Sequence, residues 1–236
     1  VCPVNNPANG YSIGGAGTLN LLTVSGTDVL IYGLKFAPTG TTQDQACITA
    51  TTAADRLVVR NCMFDSTAIV TNFTGIGVEL TSGIDDAVVE DCIFLDQQFG
   101  VQALASSTAI LKRAKIKGCE FKVGQAAAFG IDMSVGTGSV AGLLVENCIF
   151  QEATGAGAAA AAAWDCATTT GTQGPIQFGA TCDQFLVTRC RAYGAQSANF
   201  STICKVNAGA AGRLADNNSG YAETADTKAD SVGVQV

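Results

Sequence analysis

The sequence predicts an all-β fold: a parallel β-helix, or solenoid, of about six to seven turns with interior Cys, Val/Ile and Phe ladders. Three observations predict it. One phrase recurs as VLIYGLKF, LVVRNCMF, AVVEDCIF, AKIKGCEF, LLVENCIF and FLVTRCRA, centred on Leu34, Cys62, Cys92, Cys119, Cys148 and Cys190. The interval is about 28 residues, with one longer step before the last copy, and a period of that size marks a repeat architecture. Within the phrase each column has its own chemistry, and a second, alternating phrase follows each copy.

The columns assign the local structure. Three residues before the centre stand Ile31, Val59, Val89, Ile116, Val145 and Val187, all β-branched and suited to a strand. Two residues after it stand Phe36, Phe64, Phe94, Phe121 and Phe150, then Ala192. Immediately before it come Gly33, Asn61, Asp91, Gly118, Asn147 and Arg189, of which all but the arginine are types that tolerate left-handed backbone. Each copy therefore reads as a short strand, a bend at a fixed place, and a second short strand. The following phrase is Ile48-Thr49-Ala50, Val78-Glu79-Leu80, Val101-Gln102-Ala103, Ile131-Asp132-Met133, Trp164-Asp165-Cys166 and Cys204-Lys205-Val206. It alternates apolar and polar, as a half-buried strand does. Parallel stacking at about 4.8 Å per layer would set like residues over one another.

The expected organisation is an N-terminal arm or cap over 1–11, the β-helix over 12–208, and an extended C-terminal tail over 209–236. Ala158 to Ala163 fits a short helix or a strand, and 167–181 reads as a projecting loop. The start at Val1, without a charged or apolar leader, reads as a chain lacking a signal peptide, through initiator-Met removal or cleavage of a precursor.

Charged residues are 14% of the chain and the formal net charge is −7, without a basic stripe, so no nucleic-acid partner is expected. No apolar run approaches the roughly 18 residues of a membrane span. Ten cysteines would ordinarily suggest a disulfide scaffold. Here Cys62, Cys92, Cys119 and Cys148 share one interior column, and Cys166 and Cys204 are expected in another, so free stacked thiols are the reading. Cys2 and Cys182 lie outside the columns and are the expected disulfide or exposed thiols. With no His and no CxxC pair, no metal site and no cofactor is expected.

A β-helix interior is filled, so function has to lie outward. Four residues before the centre the outward set is Leu30, Val58, Val88, Lys115, Leu144 and Leu186, and Met63, Ile93 and Ile149 follow the centre by one. A stacked apolar stripe of this kind reads as a contact surface, for another chain or for a covering segment of the same one. Two residues before the centre, Arg60, Glu90, Lys117 and Glu146 alternate in sign, which reads as an ion-pair ladder of about 0–1 kcal/mol per exposed pair. In the second strand Glu79, Asp132 and Asp165 are outward carboxylates. Asp132 and Asp165 are expected on adjacent layers, the geometry an acid and a base need for glycoside cleavage. Lys112, Arg113 and Lys115 are the alternative basic candidates for a lyase.

The periodicity of residues 12–208 resembles the pectin-lyase-like parallel β-helix superfamily, and that resemblance implies a single-stranded, right-handed solenoid. Hydrolases of that superfamily commonly carry a His beside their Asp cluster, which this chain lacks, and no catalytic motif carries over residue by residue. In style the chain is similar to phage capsid-decoration, head-fibre and tail-fibre proteins. The similarity implies a non-enzymatic virion component, located in the particle, that contacts capsid or tail proteins and copies of itself, with a trimer expected. The alternatives are a tailspike-like polysaccharide-degrading enzyme, or a secreted lyase, and an adhesin module binding a host-surface glycan. Phe 11, Tyr 4 and Trp 1, five of the Phe assigned to the interior, leave few rings to line a sugar cleft.

Overall fold

The computed structural model describes residues 12–15, 20–38, 45–66, 75–81, 83–104, 110–123, 129–133, 139–152, 174–194, 203–206 and 210–221. Every helix or strand among the described residues is a strand, and the strands form three parallel sheets stacked as a β-solenoid. The first half of the recurring phrase, as in Leu30–Tyr32, Val58–Arg60 and Val88–Glu90, builds most of sheet I, whose nine strands also include Ile110–Lys112 and Ser139–Ala141 from outside the phrase. The second half, as in Lys35–Pro38, Met63–Asp65 and Ile93–Leu95, builds the eight-stranded sheet II. The alternating phrase, as in Gln45–Ala50, Gly75–Thr81 and Phe99–Leu104, builds the seven-stranded sheet III.

Sheets I and II are separated by the expected bend. Its residues all have left-handed backbone, with φ of 67° at Gly33, 51° at Asn61, 52° at Asp91, 61° at Gly118, 54° at Asn147 and 55° at Arg189. Each bend N–H donates to a carbonyl in the next layer, as Gly33 does to Arg60 at 3.1 Å and Asp91 to Lys117 at 2.9 Å. Gly118 has a second reason to be glycine: a Cβ there would meet Asp91 Oδ1 at 2.6 Å.

The residue after the bend points inward, and its chemistry follows from what it meets. Cys92 Sγ donates to the carbonyls of Val59 at 3.6 Å and Glu90 at 3.2 Å. Cys119 repeats this with Val89 and Lys117, and Cys148 with Ile116 and Glu146. Each sulfur also accepts from the backbone N–H of the cysteine one layer below. A thiol is small, apolar enough for a site with 0–1% exposure, and able to answer a donor and an acceptor at once. Burial pushes the Cys92, Cys119 and Cys148 thiols well up, and Cys190 is raised by its hydrogen bond to Cys148 and by burial.

The phenylalanines of sheet II stack face to face. Ring centroids are 5.1 Å apart for Phe36–Phe64, then 4.7, 4.7 and 4.8 Å for the pairs up to Phe150. One edge of each ring lies against a glycine of sheet III. A Cβ would come within 2.6 Å of the Phe94 ring at Gly77, 2.5 Å of Phe121 at Gly100, and 2.8 Å of Phe150 at Gly130.

Four expectations are corrected. The strand after Phe129–Met133 in sheet III is Gly174–Phe178, inside the segment expected to loop out, with Asp132 opposite Gln177. Trp164, Asp165 and Cys166 lie outside the described residues, and Cys204 stands beside Ile176, not beside another cysteine. Cys182 is buried and free, its Sγ 3.0 Å from the Met133 carbonyl, and burial pushes its pKa up to about 11. Finally, the sheets continue beyond 208: Ala211–Ala215 pairs with Cys182–Thr188, and Asn218–Tyr221 with Arg191–Gly194. Cys2, residues 1–11 and the Ala158 to Ala163 run also lie outside the described residues.

That added layer ends the cysteine column with Asn217. Its Nδ2 donates to the Val187 carbonyl at 2.9 Å, and its Oδ1 accepts from the Cys190 N–H at 2.9 Å. The amide thus replaces both functions of a thiol. Asn217→Leu should cost about 2 kcal/mol, because a buried donor and acceptor lose their partner, whereas Asn217→Cys should cost less. Urea midpoints decide it, and an unchanged midpoint for Asn217→Leu would reject this role.

Candidate interaction surface

The outer face of sheet I is built from registered columns. Leu30 pairs with Val58, Val58 with Val88, Val88 with Lys115, Lys115 with Leu144, and Leu144 with Leu186. The strands bring the predicted stripe together as one file of side chains, broken by Lys115 and continued by Arg213 beside Leu186. Leu30 is 63% exposed, while Val58, Val88, Leu144 and Leu186 are half-buried. Across the bend, Met63 pairs with Ile93, Ile93 with Glu120, and Glu120 with Ile149, whose exposure is 37%. The charged interruptions Lys115 and Glu120 fall in the same layer.

Charge columns flank the sheet I stripe on both sides. On the bend side, Arg60 Nε lies 3.5 Å from Glu90 and 3.7 Å from Asp91, and Lys117 Nζ lies 3.6 Å from Glu90. Arg189 pairs with Glu146. On the other side runs a second left-handed corner that the sequence reading missed: Asp28, Arg56, Asp86, Arg113, Gly142 and Gln184 have φ between 53° and 71°. Arg56 grips Asp28 through Nε and Nη2 at 2.6 and 2.7 Å. Arg113 grips Asp86 with both bonds at 2.8 Å and reaches Asp85 at 3.2 Å. These guanidinium hydrogen bonds hold the Asp28 and Asp86 carboxyls below the usual carboxylate range. Such bidentate pairs fix the side chains of a corner whose backbone arginine would not choose. The available signal was the sign alternation itself, Asp-Arg-Asp-Arg at the same interval of about 28 residues.

The basic residues considered for proton abstraction are placed differently from one another. Arg113 is engaged with Asp85 and Asp86, Lys112 Nζ lies 4.0 Å from Asp85, and Lys115 is exposed within the stripe.

Sheet III holds the carboxylates considered for catalysis. In its register Glu79 stands beside Gln102, and Gln102 beside Asp132. They are nearly covered, at 8%, 7% and 4% exposure, which corrects the expectation that this column faces solvent. Alternation along the strand sets a side chain's direction but does not decide what covers that side of the sheet. The layer neighbours of Asp132 are glutamines, Gln102 and Gln177, so no second carboxylate adjoins it there.

Among the described residues no group of three or more His, Cys, Asp or Glu side chains could hold a metal ion. Among them, too, no helix is long and apolar enough to cross a membrane. No protein-family model matches the chain, and no curated protein matches it.

Proposed function

We propose that this chain is a non-enzymatic structural component of a virus particle, of the decoration or fibre type, docking through the outer face of sheet I. The observation that carries the reading is the registered stripe of Leu30, Val58, Val88, Leu144 and Leu186, with Leu30 63% exposed and charge columns on both flanks. A file of apolar side chains rimmed by charge is the form of a contact surface rather than of a sugar cleft. In this reading the solenoid winds right-handed in six to seven turns, with Cys, Val/Ile and Phe ladders inside, as in the pectin-lyase-like superfamily it resembles. Its partners are capsid or tail proteins and copies of itself, and its place is the particle.

A body whose layers are tied by continuous backbone ladders suits such a role, since every layer is held by the one above and the one below. The reading is tested by Val88→Asp combined with Leu144→Asp. Both side chains are half-buried on the outer face, so the variant should fold with a circular dichroism spectrum like wild type, yet fail to incorporate into particles. Normal incorporation of the folded double variant would end the reading.

A further inference from the structure

The alternation of charge up sheet I has a geometric consequence for self-association. The geometry points to a second copy of this chain as the occupant of the sheet I face, packed antiparallel about a twofold axis between the layers of Val88 and Lys115. This rests on the docking face assigned under the proposed function and names its partner.

Under such an axis each layer meets its mirror in the stack. Arg60 faces Glu146 of the second copy, Glu90 faces Lys117, Asp86 faces Arg113, and Asp85 faces Lys112. In the apolar file Leu30 faces Leu186 and Val58 faces Leu144, while Val88 lies against the alkyl stem of Lys115. Every charged pair that faces directly across the interface is of opposite sign. Because the signs alternate by layer, moving the axis onto a layer reverses this, setting Glu90 against Glu90 and Arg60 against Lys117. Moving it a full layer toward Leu30 leaves only four layers in contact, and moving it a full layer toward Leu144 sets Val58 against Arg213 and Asp85 against Asp183. A parallel twofold in register also fails. It would set Arg60 against Arg56, Glu90 against Asp86, and Lys117 against Arg113. The layers from Leu30 to Leu186 span roughly 25–30 Å and the columns about 20 Å. That patch is of the same order as the roughly 800 Å² per partner of a stable complex.

The intrachain pairs do not remove the argument. Glu90 already lies between Arg60 and Lys117, at 3.5 and 3.6 Å, but these carboxylates and cations keep exposed surface on the outer face. A carboxylate has acceptor capacity for more than one cation. Opposite signs across an interface set its register and orientation.

Cross-linking tests the arrangement directly. Val58 and Leu144 are three layers apart in one chain, about 14 Å, too far for a disulfide within it. Val58→Cys and Leu144→Cys are prepared separately, then oxidised with diamide alone and as a mixture, with wild type setting the background of the native thiols. The mixture should give a covalent heterodimer and each variant alone only background. Self-linking of Val58→Cys would overturn the antiparallel arrangement, and so would a mixture at background. In parallel, wild type should sediment as a dimer of 24.0 kDa chains. Arg60→Glu should weaken the dimer about tenfold or more, and adding Glu146→Arg should restore it. A folded wild type that stays monomeric would sink this inference while leaving the incorporation test of Val88→Asp with Leu144→Asp standing on its own.

Discussion

Gly100→Val should destabilise the protein by about 3 kcal/mol, at the upper end of what overpacking costs. A Cβ at this position would lie 2.5 Å from two carbons of the Phe121 ring and 2.6 Å from the Gly130 carbonyl oxygen. Neither neighbour can yield. The Phe121 ring is held between Phe94 and Phe150 at 4.7 and 4.8 Å, and Gly130 lies within a paired strand. Gly26 provides the control: nothing lies within 4 Å of its Cβ position, so Gly26→Ala should leave the urea midpoint nearly unchanged. If Gly100→Val unfolds at the wild-type midpoint, the packing of the Phe stack against sheet III glycines is wrong.

Phe94→Ala should cost about 3–5 kcal/mol, the range for deleting a fully buried aromatic ring. Phe94 is 1% exposed, stacks on Phe64 and Phe121 at 4.7 Å each, and covers Gly77. Because each layer of a solenoid contacts mainly its neighbours, the void would also weaken the coupling between the layers below and above it. A broader urea transition with a lower m-value should therefore accompany the loss, as the two halves begin to unfold separately. Phe94→Leu, which keeps most of the volume, should retain a single sharp transition. A Phe94→Ala protein with wild-type midpoint and slope would contradict the stack as a source of cohesion.

Much of this architecture was legible because the bend between sheets I and II imposes a chemical choice. Left-handed backbone selects Gly, Asn or Asp, and Gly33, Asn61, Asp91, Gly118 and Asn147 announce it, whereas Arg189 adopts the same φ without the signature. The opposite corner of sheet I stayed hidden for that reason. Arg56, Arg113 and Gln184 do not look like bend residues, and two of them are steadied by carboxylates of the neighbouring layer. The strand Gly174–Phe178 was illegible because Trp164-Asp165-Cys166 and Ile176-Gln177-Phe178 share one alternation, and three residues of period two cannot choose between them. Phe178, whose ring lies 3.9 Å from that of Phe185, ties the later triplet into the core.

The final layer went unread because its column residues changed identity, with Asn217 in the cysteine place and Ser219 in the phenylalanine place. Leu214 stayed apolar without being β-branched and Asp216 kept the bend type, but these two partial matches in a Gly/Ala/Asn text are a faint signal. As for the site, the stripe was legible by counting from the bend, since register in a solenoid carries any column to every layer. The burial of Glu79, Gln102 and Asp132 was not, because it depends on what lies over sheet III.

The central claim is that the outer face of sheet I is a docking surface, and imaging the protein in its native assembly at side-chain resolution tests it most directly. The account predicts that Leu30, Val58, Val88, Leu144 and Leu186 are buried against another chain in that assembly. If those side chains face solvent in every copy while Glu79 and Asp132 line an open groove, the docking account is contradicted.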